Sequence, residues 1–134
     1  MSAAAKVLIV GGTLNLALAF AMGFVLSQAR LRGPRESTLH LLQVHRVALW
    51  EGFMLLGLTF AVNLSPLSAA VNTLAAALLV ASSLFQDASS ILNWVQRVDD
   101  EFAQRSQGFS LAVINALLGS VGLAILIYGV FRGL

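Results

Sequence analysis

A histidine and a glutamate, His45 and Glu51, lie inside an apolar stretch, Leu41 to Asn63 (LLQVHRVALWEGFMLLGLTFAVN), long enough to cross a bilayer. Imidazole offers a neutral nitrogen ligand or a proton carrier, and a carboxyl group offers a base or a counter-charge for a cation. In hydrocarbon each ionisable group costs about 2.5–3.5 kcal/mol on insertion scales, so a sequence that keeps such groups usually has a partner or ligand for them. Arg46 is close enough to the preceding loop to snorkel back to the headgroups. On a helix His45 and Glu51 are separated by about 240°, and Ala48, Leu49 and Gly52 lie on the face between them. Small residues one and two turns below a histidine would leave a flat slot, in which a planar macrocycle could place its metal on the imidazole.

Each of these residues also has a plainer role. A lone histidine near a membrane interface often bonds a neighbouring helix. Glu51 would then be a protonated carboxyl bonded to Asn15, Asn115 or a backbone carbonyl, and His40 would face solvent or headgroups. Further along, Gln86, Asp87, Ser90 and Asn93 interrupt another apolar run; Asp87, Ser90, Trp94 and Arg97 share one helical face. Asp87 would pair with Arg97 or a loop arginine.

The elements that must position these groups follow from composition. With 58% hydrophobic and 10% charged residues and a mean hydropathy of +0.86, the 134-residue chain lies far from a soluble globular composition. The reading is all-α: a single transmembrane domain built as a four-helix bundle, with spans at about 7–28, 41–63, 67–96 and 109–131. The first run is long enough to be a retained span rather than a cleaved signal. The absence of cysteine excludes thiolate ligands, disulfides and cysteine nucleophiles. A net charge of +2 from a few loop residues does not point to nucleic acid.

Small residues recur every fourth position in three spans: Gly11, Asn15, Ala19, Gly23 and Ser27; Ala69, Thr73, Ala77 and Ala81; Ala112, Ala116, Ser120 and Ala124. Such stripes let helices approach closely, and three exceed what one thin bundle needs internally, which implies an oligomer. Pro66 suits the first turn of the third helix. Arg30, Arg32, Arg35, Arg97 and Arg105 flank or lie in the loops at 29–39 and 97–108, so the positive-inside rule puts both loops in the cytoplasm.

Four short spans, with a histidine in the second followed six residues later by a polar residue and then glycine, resemble the styrene oxide isomerase family of membrane enzymes. The matching residues are His45-Arg46-Val47-Ala48-Leu49-Trp50-Glu51-Gly52. The resemblance implies a bacterial inner-membrane homotrimer with haem b between subunits, His45 on a ferric iron, and an apolar epoxide arriving from the lipid phase. The family has asparagine where this chain has Glu51, and a substrate-positioning tyrosine in the third span. That span has no tyrosine here, so Asp87 and Asn93 become the candidates, with Gln86 and Ser90 beside them.

The chemistry so implied is a rearrangement without net redox change. A ferric iron with one open axial site acts as a Lewis acid on the epoxide oxygen, and a 1,2-shift yields a carbonyl. Glu51 would stabilise positive charge at carbon better than an amide, or act as a base. Two other readings remain open. One is a non-enzymatic b-haem protein for electron transfer or sensing, with Met22 or Met54 as a second ligand. The other is a small proton-coupled multidrug exporter working through Glu51.

Overall fold

The computed structural model describes residues 1–34 and 38–134. Arg35, which the loop reading used, lies outside the described residues. Four long helices are connected in alternating up and down order: α1 (Ala3–Arg32), α2 (Leu39–Leu64), α3 (Ala69–Gln96) and α5 (Gln107–Gly133), with a single-turn α4 (Glu101–Gln104) between the last two. All four long helices are long and apolar enough to cross a membrane. The chain is therefore an all-α bundle with the character of an integral membrane protein. Its large exposed side chains are aromatic and aliphatic, among them Phe20, Phe24, Trp50, Phe60 and Phe131, as expected where hydrocarbon is the solvent.

Serine and aspartate hydroxyl and carboxyl groups start the helices. Ser2 accepts from the Ala5 N–H, Ser68 from Val71, Ser106 from Phe109, and Asp100 from Phe102 and Ala103, satisfying donors that a helix N-terminus leaves unpaired. α3 therefore begins after Ser68, and Pro66 lies in the preceding link rather than in its first turn. Arg97 ends α3 in the left-handed region at φ 53°. Two departures from the expected loops appear at the same end: α1 continues through Arg32, and Asp100 caps a helical turn within what read as a polar loop.

α1 packs along α2, α3 packs along α5, and α3 also contacts both α1 and α2, whereas α5 touches α2 only lightly. The interior divides in two. Toward the termini the core is mainly apolar, built from Leu8, Leu55, Val62, Ala76, Leu79 and Leu126, with Asn72 a buried polar exception. Toward the loops at 33–38 and 97–106 it is polar, with Asn15, Ser82, Ser83, Asp87, Ser89 and Ser90 buried.

The first small stripe sits at helix contacts. Gly11 abuts Val80 of α3, and Asn15 donates from Nδ2 to the Gly11 carbonyl (3.0 Å) and to Ser83 Oγ (3.1 Å). The stripe on α5 is different. Ala116, Ser120 and Ala124 are exposed, and the face buried against the rest of the chain carries Gly108, Gly122, Leu126 and Gly129 instead. Gly122 lets α5 approach the Ala75 carbonyl, where an added Cβ would sit at 3.0 Å.

Candidate functional site

His45 is held from the α1 side. Its Nδ1 lies 2.8 Å from the Ala19 carbonyl oxygen. A carbonyl can only accept, so Nδ1 carries the proton, and the tautomer this selects has its lone pair at Nε2. Nε2 makes no hydrogen bond and is not among the side-chain atoms sealed from the surface. Gly23, one turn beyond Ala19, makes room for the ring: a Cβ there would lie 3.1 Å from Cε1 and 3.2 Å from Nδ1. The small stripe of α1 thus has a local purpose, a seat for one imidazole.

The slot expected below His45 is closed. Ala48 and Gly52 are both buried, and the space beside Gly52 is taken by Leu16 and by the Gly12 carbonyl, at 2.8 and 3.1 Å from where a Cβ would stand. The small residues of α2 are small so that α1 can pack on them, which corrects their assignment as the floor of a macrocycle site. Leu49 is half-buried. What the arrangement offers is an Nε2 without a hydrogen bond, on a ring held between α1 and α2.

Glu51 belongs to another surface of α2. With Gln43, Arg46, Val47, Trp50 and Gln86 it lines an opening of about 330 Å³ between α2 and α3. Its Oε2 is buried and has no hydrogen-bond partner. The partners expected for it are engaged elsewhere: Asn15 with Gly11 and Ser83, and Asn115 with Gln86 Oε1 (2.6 Å) and Ser82 Oγ (2.5 Å). Asp87 is 5% exposed, has an unpartnered Oδ1, and lies near enough to Glu51 for the two charges to act on each other. The pairing expected with Arg97 is not formed; Arg97 is exposed and serves as the cap of α3.

Asn93 is committed to the connection between α3 and α5. Its Nδ2 donates to Glu101 Oε2 (2.7 Å), its Oδ1 accepts from Ser106 Oγ (2.9 Å), and its amide lies against Gly108. Both ends of the amide are used, which makes Asn93 a loop anchor as well as part of the lining of the loop-side opening. His40 also has a partner: its Nε2 is 3.1 Å from Asp99 Oδ1, tying the start of α2 to the α3–α4 link. A second opening of about 330 Å³ lies at this end, with His40, Asp99 and Glu101 at its edge and Ser90 within. Gln43 and Gln86 line both openings.

Sequence reasoning passed over Gln43. The signal for it was present, since Gln43, Val47 and Glu51 follow one another at intervals of four along one face of α2. In comparisons with known proteins, no family model, curated protein or solved structure matches the chain.

Proposed function

We propose that this chain is a membrane isomerase of the styrene oxide isomerase type, with ferric haem b on His45 serving as the Lewis acid that opens an epoxide of an apolar substrate. The observation that carries the reading is the seat of His45, with Nδ1–H bonded to the Ala19 carbonyl and Nε2 left without a hydrogen bond. A histidine that ligates a metal almost always donates its other N–H to a carbonyl, carboxylate or water, which fixes the tautomer and raises the basicity of the ligating nitrogen. Among the described residues no cluster of three or more His, Asp or Glu side chains exists to chelate a bare ion. One imidazole suffices for an iron whose other in-plane ligands come from a macrocycle. A single imidazole held in this way is compatible with such a group, which would have to lie away from the closed face of Ala48 and Gly52.

His45 would hold the group, which when bound would supply Lewis acidity toward an epoxide oxygen. The chain's own contributions are positional. Ala19 and Gly23 fix the ring plane of His45, and the packing of Gly12 and Leu16 on Gly52 holds α1 and α2 in register. The lipid-facing aliphatic surface around α1 and α2 excludes water, which favours a 1,2-shift over diol formation.

His45 and Glu51 emerge from different sides of α2. A carboxylate stabilising positive charge at carbon would thus come from the α2–α3 face of a neighbouring copy. Two distinct patches on one chain suit the head-to-tail contacts of a closed ring, the homotrimer that the resemblance implies. The test is haem binding by the purified chain and turnover of an aryl epoxide to its carbonyl product, with His45→Ala losing both.

A further inference from the structure

The Glu51 opening lies on the other side of α2 from the His45 seat and has features of its own. Two carboxyl groups from adjacent helices, Glu51 and Asp87, each keep a buried oxygen without a hydrogen-bond partner. Buried polar groups in folded proteins are paired with few exceptions, because an orphaned acceptor costs about 1–3 kcal/mol. Of the two, Glu51 lines an opening of about 330 Å³, so its orphaned oxygen marks a place beside that opening that lacks a hydrogen-bond donor.

Arg46 stands in the wall of the opening but forms no ion pair with Glu51. A bare metal ion is poorly matched, since among the described residues no third His, Asp or Glu completes a ligand set. The volume is at the lower end of small-molecule sites. Val47 and the largely exposed indole of Trp50 give the rim an apolar and aromatic surface, and an indole face attracts cations. The amides of Gln43 and Gln86 connect the opening to the loop-side one, whose edge carries Asp99 and Glu101. An acidic entrance of this kind raises the local concentration of cations.

We propose that the opening between α2 and α3 binds a compact organic ammonium ion, a ligand with N–H donors on an apolar body. Glu51 is its direct counter-charge, Asp87 a second carboxyl group buried on the adjacent helix, and Trp50 the aromatic rim. The site does not require haem.

The chain contains two tryptophans, so a Trp94→Phe background leaves Trp50 as the sole indole reporter. The full-length protein in zwitterionic lipid nanodiscs is titrated with benzylamine, benzyl alcohol and benzyltrimethylammonium while indole emission is followed. The expected result is a saturable change with benzylamine, at least about tenfold tighter than with either comparison ligand. Glu51→Gln should weaken benzylamine binding at least about tenfold, and Asp87→Asn about threefold. Equal binding of benzyl alcohol would mean simple partitioning and overturn the proposal. Equal binding of the quaternary ion would remove the role of N–H donors, and an unchanged Glu51→Gln would remove the counter-charge. No saturable change with benzylamine would also overturn it, for instance if Arg46 closes on Glu51 in the membrane. If Glu51→Gln fails to fold, the three-ligand comparison on the parent chain decides alone.

Discussion

Replacing Gly23 by alanine tests the seat of His45 without touching the histidine. The new methyl would lie 3.1 Å from Cε1 and 3.2 Å from Nδ1, whereas ordinary carbon contacts lie at about 3.5–4.0 Å. The imidazole must therefore yield by a few tenths of an ångström, or α1 must back away from α2. Either movement strains the 2.8 Å bond between Nδ1 and the Ala19 carbonyl. Loss of such a supporting bond typically weakens metal binding about 10–100-fold, which corresponds to about 1.4–2.7 kcal/mol. Alanine also gains about 1 kcal/mol of helix propensity over glycine, so a matched control is needed. Gly57→Ala on α2 provides it, because nothing lies within 4 Å of a Cβ at that position. Titration of the detergent-solubilised apoprotein with haem, followed by the Soret band, gives the two affinities. The expected result is that Gly23→Ala binds haem at least tenfold more weakly than Gly57→Ala. Equal affinities would refute the claim that this contact seats the ligand.

Gly52→Leu should drive α1 from α2, since even a Cβ would meet Leu16 at 2.8 Å and the Gly12 carbonyl at 3.1 Å; a destabilisation of about 1–3 kcal/mol should lower the thermal midpoint in detergent. Asn15→Leu removes the donor to Ser83 and the Gly11 carbonyl and should cost about 0.6–1.7 kcal/mol in reversible unfolding from mixed micelles. Asn93→Ala should leave haem binding unchanged while hydrogen exchange rises across residues 98–108, because it releases Glu101 and Ser106; a changed Soret band would return Asn93 to the site. His40→Ala should likewise speed exchange near Asp99 without altering ligand binding at Glu51.

The fold was legible because a bilayer imposes simple rules. Long uncharged runs read as helices from length alone, and the fourfold spacing from Gly11 to Gly23 marked a close-packed face before its partner was known. The same spacing misled on α5. Ala116, Ser120 and Ala124 repeat as regularly as any contact stripe but point outward, while Gly122 and Gly129 pack inward. Periodicity reports that a face is smooth and says nothing about what covers it.

Ala48 and Gly52 illustrate the same limit: smallness under His45 read as space for a ligand, and α1 had already filled it. His45 and Glu51 were legible as the polar exceptions in an apolar helix. Asn93 was not separable from them by residue type, because its anchoring role depends on Glu101 and Ser106, which reach it through the turn at α4. The His40–Asp99 pair lay within reach of sequence reasoning, since His40 adjoins the 29–39 loop and Asp99 lies in the 97–108 loop, both assigned to one side of the membrane.

The visible absorption spectrum of the purified protein expressed with haem supplied, wild type beside His45→Ala, tests the central claim most directly. The wild type should show a Soret band of five-coordinate ferric haem that is lost or shifted in the variant. A folded, colourless wild type would contradict it, as would a haem spectrum identical in the two proteins.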